Sequence, residues 1–384
     1  MLGIEVHGHV DSRFLAVREV FGENFARGEL GAACAVLLDG QVVVDLWGGW
    51  ADDARTRPWT ADTIVNAYSV GKPLVALEAL QLVATGGLEL DAPATKWWPE
   101  LLAGQQGATV RQILCHQAGV PAVRRQLSNS DLWQWEAMTR AIAATEPWWR
   151  PGTRHTYHSN TYGFLVGELA RRVTGQTPGE WLRQRIAGPL DADLAWGVRL
   201  SDLSRCADVA WRGPLPGDLD WATLRTLPDE EAMIGLGYFN PPGLSGIGVV
   251  NTEQWRFAEV PSTNLHANAV GVARVYAALA AGGAFGGTVV LDADLLSEAV
   301  SVQSEGWCPV LEREVSFGLG FQPTRPDRSF GPNPGSFGHF GTGGAVGFAD
   351  PGAHLAFGYV MNAVRPRWQN ERNRALVDAV YTCL

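Results

Sequence analysis

Phe14, Val17, Phe21 and Phe25 recur at the spacing of one helical face, so the chain opens on an amphipathic helix. Two β-rich runs follow, 32–38 and 41–47, and the Asp39-Gly40 pair between them suits a tight hairpin turn, whose central residues adopt positive φ. After Lys72 the pattern changes: residues 73–85 are apolar on nearly every face, and Gly86-Gly87 end the run. A helix without a polar face is buried on all sides, which places this one at the centre of the molecule. Helical periodicity then dominates over 110–115, 132–144, 162–173 and 181–186, with Pro and Gly between the segments. Residues 211–261 interleave Pro214, Pro216, Pro228, Pro241 and Pro242 with Trp211, Trp221, Tyr238, Phe239 and Trp255, a pattern that predicts long irregular loops serving as lids or pocket walls. A helix over 267–281, strands at 315–322, 336–339, 345–350 and 354–361, and a closing amphipathic helix over 369–380 complete the reading. Strands at both ends and helices between them predict an α+β fold. Its antiparallel sheet, flanked by helices, takes residues 1–88 and 265–384, and a mainly helical domain with Pro/Trp-rich pocket loops takes residues 89–264.

At 384 residues the chain exceeds what one hydrophobic core usually carries, which agrees with two lobes. A charged fraction of 18% and a hydrophobic fraction of 46% exclude a disordered chain and a coiled coil. A net charge of −10, with acidic residues scattered, argues against a nucleic-acid partner, which needs stripes of Lys and Arg. No apolar run is long enough to span a membrane, and residues 1–21 carry too many charges for a secretory signal. Cys34, Cys115, Cys206, Cys308 and Cys383 are widely separated, as expected of reduced thiols in the cytoplasm. One count matters more than the rest: of 30 basic residues only Lys72 and Lys96 are lysines. Arginine serves a surface as well as lysine does but cannot give up its proton, so each lysine deserves its own explanation.

Ser69-Val70-Gly71-Lys72 stands where an irregular segment enters the apolar helix. Residues i and i+3 share a helical face, so the Ser69 hydroxyl and the Lys72 amine can meet. Serine needs a neighbouring base to act as a nucleophile, and a desolvated lysine can be one. A helix entry also directs free N–H groups at an anion forming beside Ser69. With 15 serines and two lysines, a chance Ser-x-x-Lys is uncommon.

Ser69–Lys72 resembles the first motif of the serine β-lactamase and penicillin-binding-protein superfamily. Two further segments resemble that superfamily in order. Pro151-Gly152-Thr153 through Tyr157-His158-Ser159, running on into Tyr162–Glu168, is similar to the Pro-Gly-Thr…Tyr-x-Asn motif of class C β-lactamases. Residues Phe337–Gly344, with His339, Gly341 and Thr342, are similar to the third motif, Lys-Thr-Gly in β-lactamases and often His-x-Gly in esterases. Leu114–Val120 and Asn264–Ala269 add support, so the likeness covers roughly residues 30 to 362. Two departures matter: Ser159 stands where the superfamily has Asn, with Asn160 one step out of register, and His339 replaces the lysine. Both imply the carboxylesterase branch.

The resemblance implies a β-lactamase-like fold and hydrolysis of a small acyl ester by water, without cofactor or metal. It gives Ser69 the role of nucleophile, and gives Lys72 and Tyr157 a shared proton network in which Tyr157 serves the deacylating water. The backbone N–H groups of Ser69 and Thr342 form the oxyanion hole. Ser159, His339 and Gly341 support the site, and Trp211 and Trp255 line an acyl pocket. Amide or β-lactam hydrolysis and acyl transfer would use the same acyl-enzyme, and a non-catalytic binding module is a remote further reading. Other signals weigh little. His7-Gly8-His9 is two ligands short of a metal site, Gly341–Gly344 lacks dinucleotide-loop spacing, and no Gly-x-Ser-x-Gly is present. His155 and His158 read as structural.

Overall fold

The computed structural model describes residues 4–102, 107–213, 220–327, 329–365 and 367–384. Nine strands organise the architecture: β1 (Val6–Val10), β2 (Gly31–Leu38), β3 (Gln41–Gly49), β4 (Ser304–Cys308), β5 (Arg313–Phe317), β6 (Gln322–Pro323), β7 (Phe337–Phe340), β8 (Val346–Asp350) and β9 (Leu355–Met361). Seven of them form one sheet in the order β1-β3-β2-β9-β8-β7-β6, antiparallel throughout. Both ends of the chain supply it, as the strand order predicts. β2 and β3 join through Asp39 and Gly40 at φ 50° and 77°. The His7-Gly8-His9 segment lies in the edge strand β1. Among the described residues no group of three or more His, Cys, Asp or Glu side chains converges.

The helices that matter for the site are α1 (Leu15–Ala26), α2 (Lys72–Ala84), α3 (Thr161–Thr174), α4 (Asp229–Phe239), α5 (Ala269–Ala280) and α6 (Glu371–Thr382). α5 covers one face of the sheet at close range, because a Cβ at Gly358 would lie 2.3 Å from the Ala269 carbonyl oxygen. The next residue, Tyr359, points to the opposite face and bonds Glu29, whose partner Arg372 belongs to α6. α6 packs there against α1. α2 is buried from Lys72 through Leu80, as its all-round apolar pattern requires. None of the helices described is long and apolar enough to cross a membrane.

Two expectations change. The stretch read as one strand over 315–322 is broken after Phe317: Gly320, at φ 89°, presses on α2, where a Cβ would overlap Ala76 at 2.1 Å. The Pro/Trp-rich stretch is not all loop, since α4 lies within it. Asp229, Glu230 and Glu231 fill the first turn of α4 and complement its positive end. Gly235 and Gly237 within α4 interrupt the periodicity that would otherwise have marked it.

Candidate active site

Residues 65–66 pair with 266–267, and Ala67 N–H donates to the Leu265 carbonyl at 2.7 Å. The chain then reverses at Tyr68, which sits at φ 53°, a conformation that costs a bulky residue about 1–3 kcal/mol. That turn delivers Ser69 to the mouth of a 3₁₀ turn, 69–71, leading into α2. Gly71 permits the close passage of the neighbouring loop, as a Cβ there would meet the Pro261 carbonyl oxygen at 2.9 Å.

Lys72 is fully buried, and its Nζ donates to Ser69 Oγ at 3.1 Å and to the Ser262 carbonyl at 2.9 Å. Ser262 is thereby a site residue that motif reading missed, because its contribution is a backbone atom. Its hydroxyl also accepts from Gly163 N–H at 2.7 Å, tying the loop to α3. Tyr157 reaches the same point from the segment before α3. Lys72 Nζ lies 4.8 Å from its ring centroid, and its phenol oxygen, buried with no hydrogen-bond partner among the described residues, faces the Ser69 side chain. Burial drives the two groups in opposite directions: the amine is held well below the usual ammonium range, and the phenol well above its usual range.

A buried histidine pair sets Tyr157 in place. Thr156 N–H and His158 N–H donate to the carbonyl oxygen and Nδ1 of His116, at 3.2 Å each, and Tyr157 N–H points at the sulfur of Cys308, 3.3 Å away. His158 donates from Nδ1 to the Thr156 carbonyl and accepts Val120 N–H on Nε2; burial lowers its pKa to about 4, so it stays neutral. His155, half-buried, lies 3.3 Å from the Gly306 carbonyl oxygen.

The third motif closes the site from the sheet edge. Gly341 lets β7 approach the nucleophile's loop, since a Cβ there would lie 2.4 Å from the Ala67 carbonyl oxygen. Among the described residues no backbone carbonyl takes the N–H of Ser69 or of Thr342 in hydrogen-bonding geometry. Behind Thr342, the Gly343 carbonyl is held by Asn370 and Arg372 and the Gly344 carbonyl by Asn373, all on or beside the first turn of α6. Arg372 is in turn fixed by a fully buried ion pair with Glu29 at 2.8 Å. None of these anchors carries a sequence signal, because they come from opposite ends of the chain. His339 is buried, with Nδ1 2.6 Å from the Phe340 carbonyl oxygen and its ring 6.1 Å from that of Tyr157.

The remaining candidates divide. Ser159 is buried and faces the phenol of Tyr238 on α4. Asn160 turns away, donating to the Gly237 carbonyl and Ser245 Oγ and accepting from Thr263, so it braces loops. Trp211 packs edge-on against Tyr68 at 6.2 Å and stays partly exposed beside the nucleophile. Trp255, expected to line a pocket, is instead fully buried: its indole donates to Asn66 at 2.8 Å and offers no face to a substrate. It fixes the backbone that precedes Ser69.

The profile of the Beta-lactamase family matches residues 17–381. The chain is 33% identical over 371 residues to the esterase/beta-lactamase LipL of Mycobacterium tuberculosis (strain ATCC 25618 / H37Rv), covering 94% of this chain and 83% of that one. A crystal structure of a family VIII carboxylesterase superposes with a TM-score of 0.90 at 34% identity, covering 99% of this chain and 100% of the other. A penicillin-binding-protein homologue from Caulobacter crescentus gives 0.89 at 36% identity, covering 99% and 100%.

Proposed function

The chain belongs to the Beta-lactamase family, and from that membership we propose that it is a serine carboxylesterase acting through an acyl-enzyme on Ser69. The observation that carries the reading is the contact of 3.1 Å between the fully buried Lys72 Nζ and Ser69 Oγ. Burial without a carboxylate favours the neutral amine of Lys72, and burial favours the protonated phenol of Tyr157. That assignment moves the base role wholly to Lys72 and makes Tyr157 the proton donor.

As Ser69 Oγ bonds to the ester carbonyl carbon, its proton passes to Lys72. The ammonium so formed lies between the Ser262 carbonyl and the ring face of Tyr157, both of which favour a cation. The carbonyl oxygen takes the negative charge and is met by the N–H groups of Ser69 and Thr342, each worth about 3 kcal/mol in the transition state. Collapse breaks the bond to the alkoxide, which takes a proton from Tyr157, and Lys72 returns the proton to the phenol. Water then repeats the cycle on the acyl-enzyme, with Lys72 again the base, and releases the acid. Ser159 in place of an asparagine, with Asn160 turned away, supports ester over amide substrates, since no side-chain amide stands there to orient an acylamino group. The free thiols of all five cysteines support a reducing, cytoplasmic setting.

Fluorophosphonate labelling read by intact mass, beside hydrolysis of p-nitrophenyl butyrate, tests the proposal. The wild type should gain one adduct and Ser69→Ala none, with hydrolysis lost. A Ser69→Ala variant that still hydrolyses the ester, or turnover of a chromogenic cephalosporin as fast as the best ester, would overturn it.

A further inference from the structure

The small β4–β5 hairpin directs a cation toward Tyr157 that the proton relay does not use. Cys308 and Arg313 stand opposite each other across it, and directly opposed residues project to the same face. That face is turned to the active site: the Cys308 sulfur faces Tyr157 N–H at 3.3 Å, and the Phe317 ring stacks on the Tyr157 ring at 6.0 Å. Strand alternation therefore puts Arg313, Val315 and Phe317 on the site side, with Glu314 and Ser316 on the other. The Arg313 guanidinium lies 4.9 Å from the ring of Trp368, which meets Tyr157 edge-on at 5.1 Å. Arg313 thus stands one aromatic ring away from the phenol.

Two other half-buried arginines are paired with carboxylates. Arg325 bonds Asp327 and Ser316, and Arg111 bonds Asp91 and Glu298. Arg313 has no carboxylate within 4.0 Å among the described residues, and its Nε is buried with no acceptor. The ionisable groups that face it are Cys308, Tyr157, Tyr238 and Asp327. Burial keeps the two phenols uncharged, and Asp327 is taken by Arg325. A guanidinium keeps its charge when desolvated, and an N–H left without an acceptor costs free energy that a bound carboxylate would recover. Its planar fork can hold a carboxylate through two parallel hydrogen bonds.

We infer that Arg313 forms an anion subsite on the rim of the acyl-ester site and selects esters that carry a carboxylate a few carbons from the reacting carbonyl. The inference rests on the Ser69 acyl-enzyme reading. Two arms of one experiment distinguish where the carboxylate sits. Monoethyl glutarate and monoethyl adipate against ethyl valerate, followed by pH-stat, place it on the acyl part; 4-carboxyphenyl butyrate against phenyl butyrate places it on the leaving group. The quantity read is the ratio of kcat/KM for the charged ester to that for its neutral counterpart. The wild type should favour the charged ester in one arm, and Arg313→Gln should lower that ratio at least tenfold. Arg313→Lys should keep part of the preference, while Arg325→Gln should leave the ratio unchanged. No preference in either arm, or an Arg313→Gln variant that slows charged and neutral esters equally, would overturn the inference. Ser69→Ala separates the two claims: if it still hydrolyses the neutral esters, the acyl-enzyme reading fails first.

Discussion

Replacing Lys72 by Met tests whether the buried amine is neutral at rest. Methionine nearly matches lysine in length, so the fully buried slot stays filled. The change leaves the Ser262 carbonyl without a donor, a loss of about 1–3 kcal/mol, but it also removes a desolvated amine. The two roughly offset, and the urea midpoint should move by no more than about 1–2 kcal/mol equivalent. Activity should fall far more, by about a hundredfold to ten-thousandfold in kcat/KM for p-nitrophenyl butyrate, because the general base is gone. Lys72→Arg separates charge from chemistry. It forces a permanent cation and extra volume into a site with no carboxylate, a cost of several kcal/mol, so it should be both inactive and much less stable than Lys72→Met. The pH profile supplies the third readout. Activity needs the neutral amine, so it rises with pH through the Lys72 pKa, and that acid limb should lie well below 10.5 and vanish from the residual activity of Lys72→Met. The control is Lys96→Arg. Lys96 is half-exposed, bonds Glu89 at 2.6 Å and lies over Trp97, contacts an arginine can also make, so stability should change by less than about 0.5 kcal/mol. A Lys72→Arg protein as stable as the wild type and within tenfold of its activity would refute the reasoning, since the site would then hold a fixed cation and still turn over.

Three other outcomes follow from the packing. Gly341→Ala drives a Cβ into the Ala67 carbonyl and should push β7 from the nucleophile's loop, lowering kcat more than tenfold for about 1–3 kcal/mol of stability; an unchanged kcat would remove Thr342 from the oxyanion hole. Arg372→Met leaves Glu29 buried and unpaired and should cost about 3–5 kcal/mol by urea unfolding, with the double variant Arg372→Met/Glu29→Gln recovering part of it. Glu78, buried on α2 with neither carboxylate oxygen bonded, has a pKa pushed well above the usual carboxylate range, so the wild type loses stability as pH rises above the unfolded value toward the folded one. Unfolding curves of wild type and Glu78→Gln should therefore coincide near pH 4 and diverge at alkaline pH with the variant the more stable, and parallel curves would show that Glu78 titrates normally.

How much of the site could be read from sequence follows from how local each signal is. Ser69 and Lys72 announce themselves because a spacing of three on a helix fixes their proximity whatever the rest of the chain does. The apolar run behind them foretold burial, and burial supplies the lowered lysine pKa. Tyr157 was readable only by resemblance, since what brings it to Lys72 is a scaffold of distant residues: His116, bonded to the neighbouring His158 from 42 residues away, and Cys308, 151 residues from Tyr157. The Ser262 carbonyl left no trace, because any residue type would serve, and the N–H of Thr342 was readable only by resemblance. Tryptophan misled for a related reason. Trp211 and Trp255 are the same residue type in the same Pro-rich stretch, and what separates a partly exposed ring from a core one is a partner, Tyr68 for one and Asn66 for the other. Composition singled out a lysine because lysines are rare here, and arginines are too common for the same argument to find Arg313. Its case needs the register of a hairpin that the sequence did not reveal, because only the pairing of Arg313 with Cys308 turns its charge toward Tyr157.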